Sequence, residues 1–182
     1  MRVRRRDFLA GVAALGATSV GAAYATGYVD PFESVTTVEP IALETIDAPG
    51  SQVGEVPVPE RGSVTVLEFF ATWCGVCVDQ MEPMGTVYDD VGNHPHVQFL
   101  SVTNEPIGRT VTRLDVADWW ADHDGRWPVA LDSDLRLTEA LDASGVPYTY
   151  VLDASNAVRY AARGFKPADE LLEPIERTLD GM

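Results

Sequence analysis

The stretch VTVLEFFATWCGVC, residues 64–77, runs from an apolar segment into both cysteines of a 182-residue chain. Val64–Phe70 is apolar at nearly every position, which predicts a strand buried on both faces. Cys74 and Cys77 follow two residues apart. A pair at this spacing is a structural staple, half of a metal site, or a redox centre.

Metal chemistry fits poorly. Structural zinc takes about four nitrogen or sulfur ligands, and two cysteines supply half. The three histidines are His94, His96 and His123. His94 and His96 flank Pro95, which restricts the backbone between them, and nothing else pairs with them; they read as solvated residues. Covalent haem attachment needs a histidine directly after the second cysteine, where Val78 stands. A staple fits little better, because a loop of four residues gives only ~2 kcal/mol on the chain-entropy model. Redox chemistry also explains the surroundings. With a strand ending near Phe70 and a helix starting at the pair, Cys74 lies at a helix N-terminus, where a thiolate is stabilised. Cys77, one turn further in, is placed to resolve a mixed disulfide.

Glu68 interrupts the apolar run, and burying an ionised carboxylate without a partner costs several kcal/mol. Either it occupies an edge position or pairs with an arginine, or it is a buried base with a raised pKa. In the second case it takes the Cys77 proton through water.

Working outward, Ile41–Ile46 and Val53–Val58 flank Ala48-Pro49-Gly50-Ser51, which predicts a β-hairpin. A helix is expected from Cys77 to about Val91, with Pro83 as a kink. His96–Val102 reads as a strand and Asp115–His123 as a helix. Val129–Leu131 is a short apolar segment, and a helix is expected from Asp132–Asp134 to about Ala143. Tyr148–Leu152 and Val158–Arg163 read as a strand pair, and Lys166–Glu170 opens a final helix. Strands alternating with helices give an α/β fold with a central mixed sheet flanked by helices.

Acidic residues outnumber basic ones 28 to 13, for a net charge of −15. So negative a surface argues against nucleic acid or anionic lipid as partner. It suits a halophilic protein working in concentrated salt, where repulsion is screened within about 3 Å at 1 M. The first residues differ in character. Arg2, Arg4, Arg5 and Arg6 precede an uncharged stretch, Phe8–Val29. RRDFL (5–9) resembles a twin-arginine export signal, with Ala23-Tyr24-Ala25 as a small-x-small cleavage site. Residues 1–25 are therefore expected to be a signal peptide or an N-terminal membrane anchor, residues 26–40 a linker, and residues 41–182 the folded domain. Either form of the leader puts the domain outside the cytoplasm, where disulfides persist.

FFATWCGVC (69–77), Glu68 and Val146-Pro147-Tyr148-Thr149 together resemble the thioredoxin-like superfamily. In that family a buried acid precedes the cysteines and a cis-proline packs beside the disulfide. Within the superfamily the likeness is to the TlpA/ResA-like branch. WPVALDSDLRLTEALDASGVPYTYVLDASNAV (127–158) resembles its helix-strand insertion, and IALETIDAPGSQVGEVPVPERG (41–62) its N-terminal hairpin; the likeness spans roughly residues 41–178. Two positions depart from it: Pro83 lies six residues after Cys77 rather than five, and Gln80 stands where the branch has a glutamate.

The resemblance implies a thioredoxin-like fold and an extracytoplasmic thiol–disulfide oxidoreductase without cofactor or metal. Cys74 would be the nucleophile, Cys77 the resolving thiol and Glu68 the proton carrier. Trp73 would shield the sulfur, and the Val146 backbone beside Pro147 would hold a substrate strand. Its partners would be protein thiols and disulfides, with a membrane electron donor, in the manner of reductants of cytochrome apoproteins. A peroxiredoxin-like enzyme would need a Thr-x-x-Cys site, whereas Thr72 precedes Cys74 by only two residues. A metallochaperone or a non-catalytic binding module of the same fold are the remaining alternatives.

Overall fold

The structure, a computed structural model, describes residues 35–182; the expected export signal or anchor and most of the expected linker lie outside the described residues. The end of that linker is docked rather than free. Thr37 bridges Ala157, the Val38 amide donates to the Asn156 carbonyl, and Val38 is buried.

Strands β1 (Ile41–Thr45) and β2 (Gly54–Val58) form the expected hairpin, antiparallel from Ile41 opposite Val58 to Thr45 opposite Gly54. β3 (Val64–Phe70) is buried at every position and leads into helix α1 (Gly75–Val91). Then come β4 (Val97–Thr103), α2 (Arg113–Asp122), β5 (Val129–Leu131), α3 (Arg136–Ala140), β6 (Tyr148–Leu152), β7 (Val158–Arg163) and α4 (Ala168–Asp180). The seven strands lie in the order β2-β1-β5-β4-β3-β6-β7. β3 and β4 are parallel and β3 and β6 antiparallel, so the sheet is mixed and β3 lies inside it.

Period-2 alternation sends successive β3 side chains to opposite faces. Val64, Val66 and Phe70 join the core formed with α1, α2 and α4, including Met84, Trp120 and Ile175. Leu67 and Phe69 join a second core that contains Leu137 of α3. Glu68, between Val66 and Phe70, therefore faces the cysteine-bearing helix.

Local signals account for the helix ends. α1 begins two residues before the expected Cys77, because Cys74 itself serves as N-cap; it continues past Pro83 to Val91 as one helix. α2 starts at a capping box in which Thr112 and Asp115 bond each other's backbone amides. The helix expected from Asp132 to Ala143 shrinks to the five residues of α3. Asp132 is buried, and its carboxylate accepts the Leu137 and Thr138 amides, which makes it a capping side chain ahead of the helix. α4 follows Pro167, with Asp169 and Glu170 against the positive helix end.

Candidate active site

Cys74 and Cys77 are joined as a disulfide, their Cα atoms 5.2 Å apart. Cys74 has extended backbone (φ −91°, ψ 102°), and its Sγ accepts the Cys77 amide at 3.1 Å. An oriented amide and the helix dipole both favour negative charge on that sulfur, and no acidic side chain in the first turn opposes them. Cys74 keeps 6% exposure whereas Cys77 has 1%, so the sulfur open to a partner belongs to Cys74.

Glu68 is fully buried on an interior strand and has no arginine partner among the described residues, so neither the edge position nor the ion pair holds. Its pKa is pushed up to about 8 by desolvation, partly offset by a hydrogen bond from Ser101. Ser101 lies directly beside it on β4, and the Ser101 hydroxyl donates to Glu68 Oε2 at 3.3 Å. Oε1 has no partner among the described residues.

The Val146–Pro147 peptide is cis. Tyr148 pairs with Phe69, which places Pro147 beside the strand end from which the cysteine loop departs. Val146 is half-buried and packs on the core that holds both cysteines. Among the described residues no hydrogen bond engages its amide or carbonyl. Gly145 has φ +92°, a left-handed conformation that L side chains rarely adopt, so the loop favours glycine there. Trp73 is 75% exposed and does not pack into the core.

Two further residues shape the site. Gln80 is fully buried; its amide nitrogen donates to the Lys166 carbonyl (2.9 Å) and its amide oxygen accepts the Lys166 N–H (2.7 Å). A carboxylate could not make the first of these bonds, which gives a physical reason for glutamine here. Glu105, which sequence reasoning did not single out, accepts the Thr72 amide (2.8 Å), the Thr72 hydroxyl (2.9 Å) and the Thr103 hydroxyl (3.1 Å). It thereby pins the turn that delivers Cys74. The acidic residue just past HVQFLSV was the available signal, but only the fold brings Thr72 to it.

The histidines are elsewhere. His94 and His96 are exposed and face each other at 5.8 Å, and His123 Nδ1 lies 2.7 Å from the Trp119 carbonyl. Among the described residues no three metal-ligating side chains converge.

The Redoxin family profile matches residues 43–176. Sporulation thiol-disulfide oxidoreductase A of Bacillus subtilis is 23% identical over 122 residues, which is 67% of this chain and 72% of that protein. ResA, a thiol-disulfide oxidoreductase of the same organism, is 24% identical over 98 residues, 54% of this chain and about half (51%) of ResA. The crystal structure of StoA from Bacillus subtilis superposes with a TM-score of 0.63 at 19% identity, covering 76% of this chain and 98% of StoA. A capped Cys-x-x-Cys pair on a thioredoxin-like sheet, within that profile, identifies the chain as a member of the Redoxin family and a thiol–disulfide oxidoreductase.

Proposed function

We propose that this protein reduces disulfides of partner proteins outside the cytoplasm, with Cys74 as nucleophile, Cys77 as resolving thiol and Glu68 as proton carrier. The observation that carries the reading is the pairing of a helix-capping Cys74 with a buried, incompletely bonded carboxylate on the same sheet face. In the reduced protein the Cys74 thiolate attacks a substrate disulfide. One Cys74–substrate bond forms, and the substrate's second sulfur leaves as a thiolate. The Cys77 thiol then gives its proton to the Glu68 carboxylate, and its thiolate attacks Cys74 Sγ. The Cys74–Cys77 bond forms, the mixed disulfide breaks, and the substrate leaves with both sulfurs reduced. Two electrons have moved from protein to substrate, and a thiol donor, held in the membrane on this reading, must return them. A carboxyl titrating near 8 is well matched to a thiol, because proton transfer is most efficient between groups of similar pKa.

Substrate recognition falls to the rim around Cys74. Trp73 and Val76, on either side of Cys74 and Gly75, are exposed apolar side chains there, and the unengaged Val146 backbone offers a donor and an acceptor to an extended segment. Extracytoplasmic action and cytochrome apoproteins as substrates rest on the likeness to ResA-type proteins and on the arginine-rich leader. Function in concentrated salt rests on the acidic composition.

The test is a trap. In Cys77→Ser, expressed in the native compartment, the mixed disulfide cannot resolve, and partner proteins accumulate on Cys74. Capture of extracytoplasmic proteins whose disulfides are needed reduced supports the reading. No captured protein, together with no disulfide reductase activity at high salt, would leave a binding module. A redox titration of the pair separates reductant from oxidant.

A further inference from the structure

Trp127 and Ser101 connect to Glu68 by a chain of buried hydrogen bonds. Trp127 immediately precedes Pro128 and β5 and is fully buried among Tyr88, Phe99 and Trp120. Its indole N–H donates to Ser101 Oγ at 2.9 Å. Ser101 is fully buried too, and its hydroxyl proton goes to Glu68 Oε2. An indole nitrogen donates only and an ionised carboxylate accepts only, so with Glu68 ionised the direction of the chain is fixed. Ser101 then accepts from Trp127 and gives its own proton to Glu68. Oε2 is thereby occupied, and Oε1 is the oxygen left without a partner.

We propose that Ser101 and Trp127 are positioning residues of the redox centre, which hold Oε2 of Glu68 and leave Oε1 as the atom that takes and returns the Cys77 proton. Carboxylate rotation would otherwise exchange the two oxygens, and a directed hydroxyl at Oε2 restricts that exchange. Among the described residues no charged side chain bonds Glu68. β4 contributes Ser101, β6 places Thr149 opposite Glu68, and the helices packed on this face bring apolar side chains, the two cysteines and the neutral amide of Gln80, which is engaged with the Lys166 backbone. Desolvation and the Ser101 bond are accordingly the two influences on the carboxyl, and the bond favours its ionised form. The proposal rests on Glu68 serving as proton carrier, and it deepens that reading by naming the residues behind it.

Ser101→Ala tests it by removing a single hydroxyl from the bonding chain without touching either cysteine. The primary readout is infrared titration of the protonated carboxyl C=O band in the oxidised protein, which reports Glu68 independently of any turnover. Glu68→Gln identifies the band by its disappearance. In Ser101→Ala the midpoint is expected to rise by about one pH unit, the loss of roughly one charge-assisted hydrogen bond. The pH profile of resolution by Cys77 should move with it. Trp127→Phe, which keeps the ring but removes the N–H, should shift the midpoint the same way by less. It supplies the measurement if Ser101→Ala does not fold, and Ser101→Thr should restore the original midpoint. An unchanged midpoint in both Ser101→Ala and Trp127→Phe would overturn the proposal. A different result, in which Glu68→Gln leaves the exchange pH profile unaltered while the infrared midpoint still moves in Ser101→Ala, would retire Glu68 as proton carrier but keep the bonding chain.

Discussion

Glu68 and Glu105 are both buried glutamates, one on interior strand β3 and the other just past the end of neighbouring β4, yet they are bonded in opposite ways. Three donors converge on Glu105, from the Thr72 amide and the hydroxyls of Thr72 and Thr103, so both its oxygens are engaged. Glu68 receives one donor at one oxygen. The first arrangement spends a carboxylate on fixing a turn, and the second leaves a carboxyl under-bonded and free to exchange a proton. Burial alone does not assign a role to an acidic residue; the number and direction of its neighbours' donors do.

The comparison breaks first at Glu68. If its incomplete bonding serves proton transfer, Glu68→Gln should slow the Cys77 step by about 100-fold, read by stopped-flow tryptophan fluorescence during disulfide exchange. An unchanged rate across pH 6–9 would remove the assigned role. The same substitution should act on stability. Glu68 has a folded pKa of about 8, above its ordinary value of 4.5, so the folded protein binds the proton more tightly than the unfolded chain. Its contribution is fully present below the unfolded value and is lost as pH rises through the folded one. Glu68→Gln should therefore gain stability relative to the parent between pH 5 and 8, on the order of a few kcal/mol. Denaturant melts of both proteins at several pH values would show the curves diverging; parallel curves would contradict the raised pKa.

Glu105 should behave in the other way. Glu105→Ala leaves the Thr72 amide and hydroxyl without their acceptor and should cost about 2–3 kcal/mol in stability. Cys74 reactivity toward a small disulfide should fall at every pH alike, because a turn is loosened rather than a proton carrier lost. A pH-dependent loss would instead give Glu105 a part in the chemistry. The smallest expected effect is at the Gln80 clamp. Gln80→Met removes both bonds to the half-buried Lys166 backbone without introducing a charge and should lower stability by about 1–2 kcal/mol, measured as a shift in the denaturation midpoint with an unchanged slope.

Much of this arrangement was legible locally. VTVLEFF announced a central strand, the Cys-x-x-Cys pair sat where a helix had to begin, and Glu68 stood out as an acid inside an apolar run. The same signal was present in HVQFLSV, where Ser101 is a polar residue in an interior strand, and it passed unread. A serine costs little to bury, so its position in sequence does not demand a partner as a carboxylate's does. Trp127 is a core residue, and its N–H acquires meaning only when β4 and the segment before β5 lie side by side. Glu105 and Thr72 are 33 residues apart and meet for the same reason. The over-long expectation for α3 has a different origin: Asp132 reads as a helix start, but its side chain caps a helix that begins several residues later.

The docking of Thr37 and Val38 on the turn between β6 and β7 sets a polarity for the whole domain. β3 runs from that end to the cysteines, a span of roughly 20 Å at about 3.3 Å per residue. The chain thus enters the folded body at the pole remote from Cys74. A domain held by residue 35, whether on a sensor chip or a bead, would turn its redox pole outward and leave the rim of Trp73 and Val76 open to large partners.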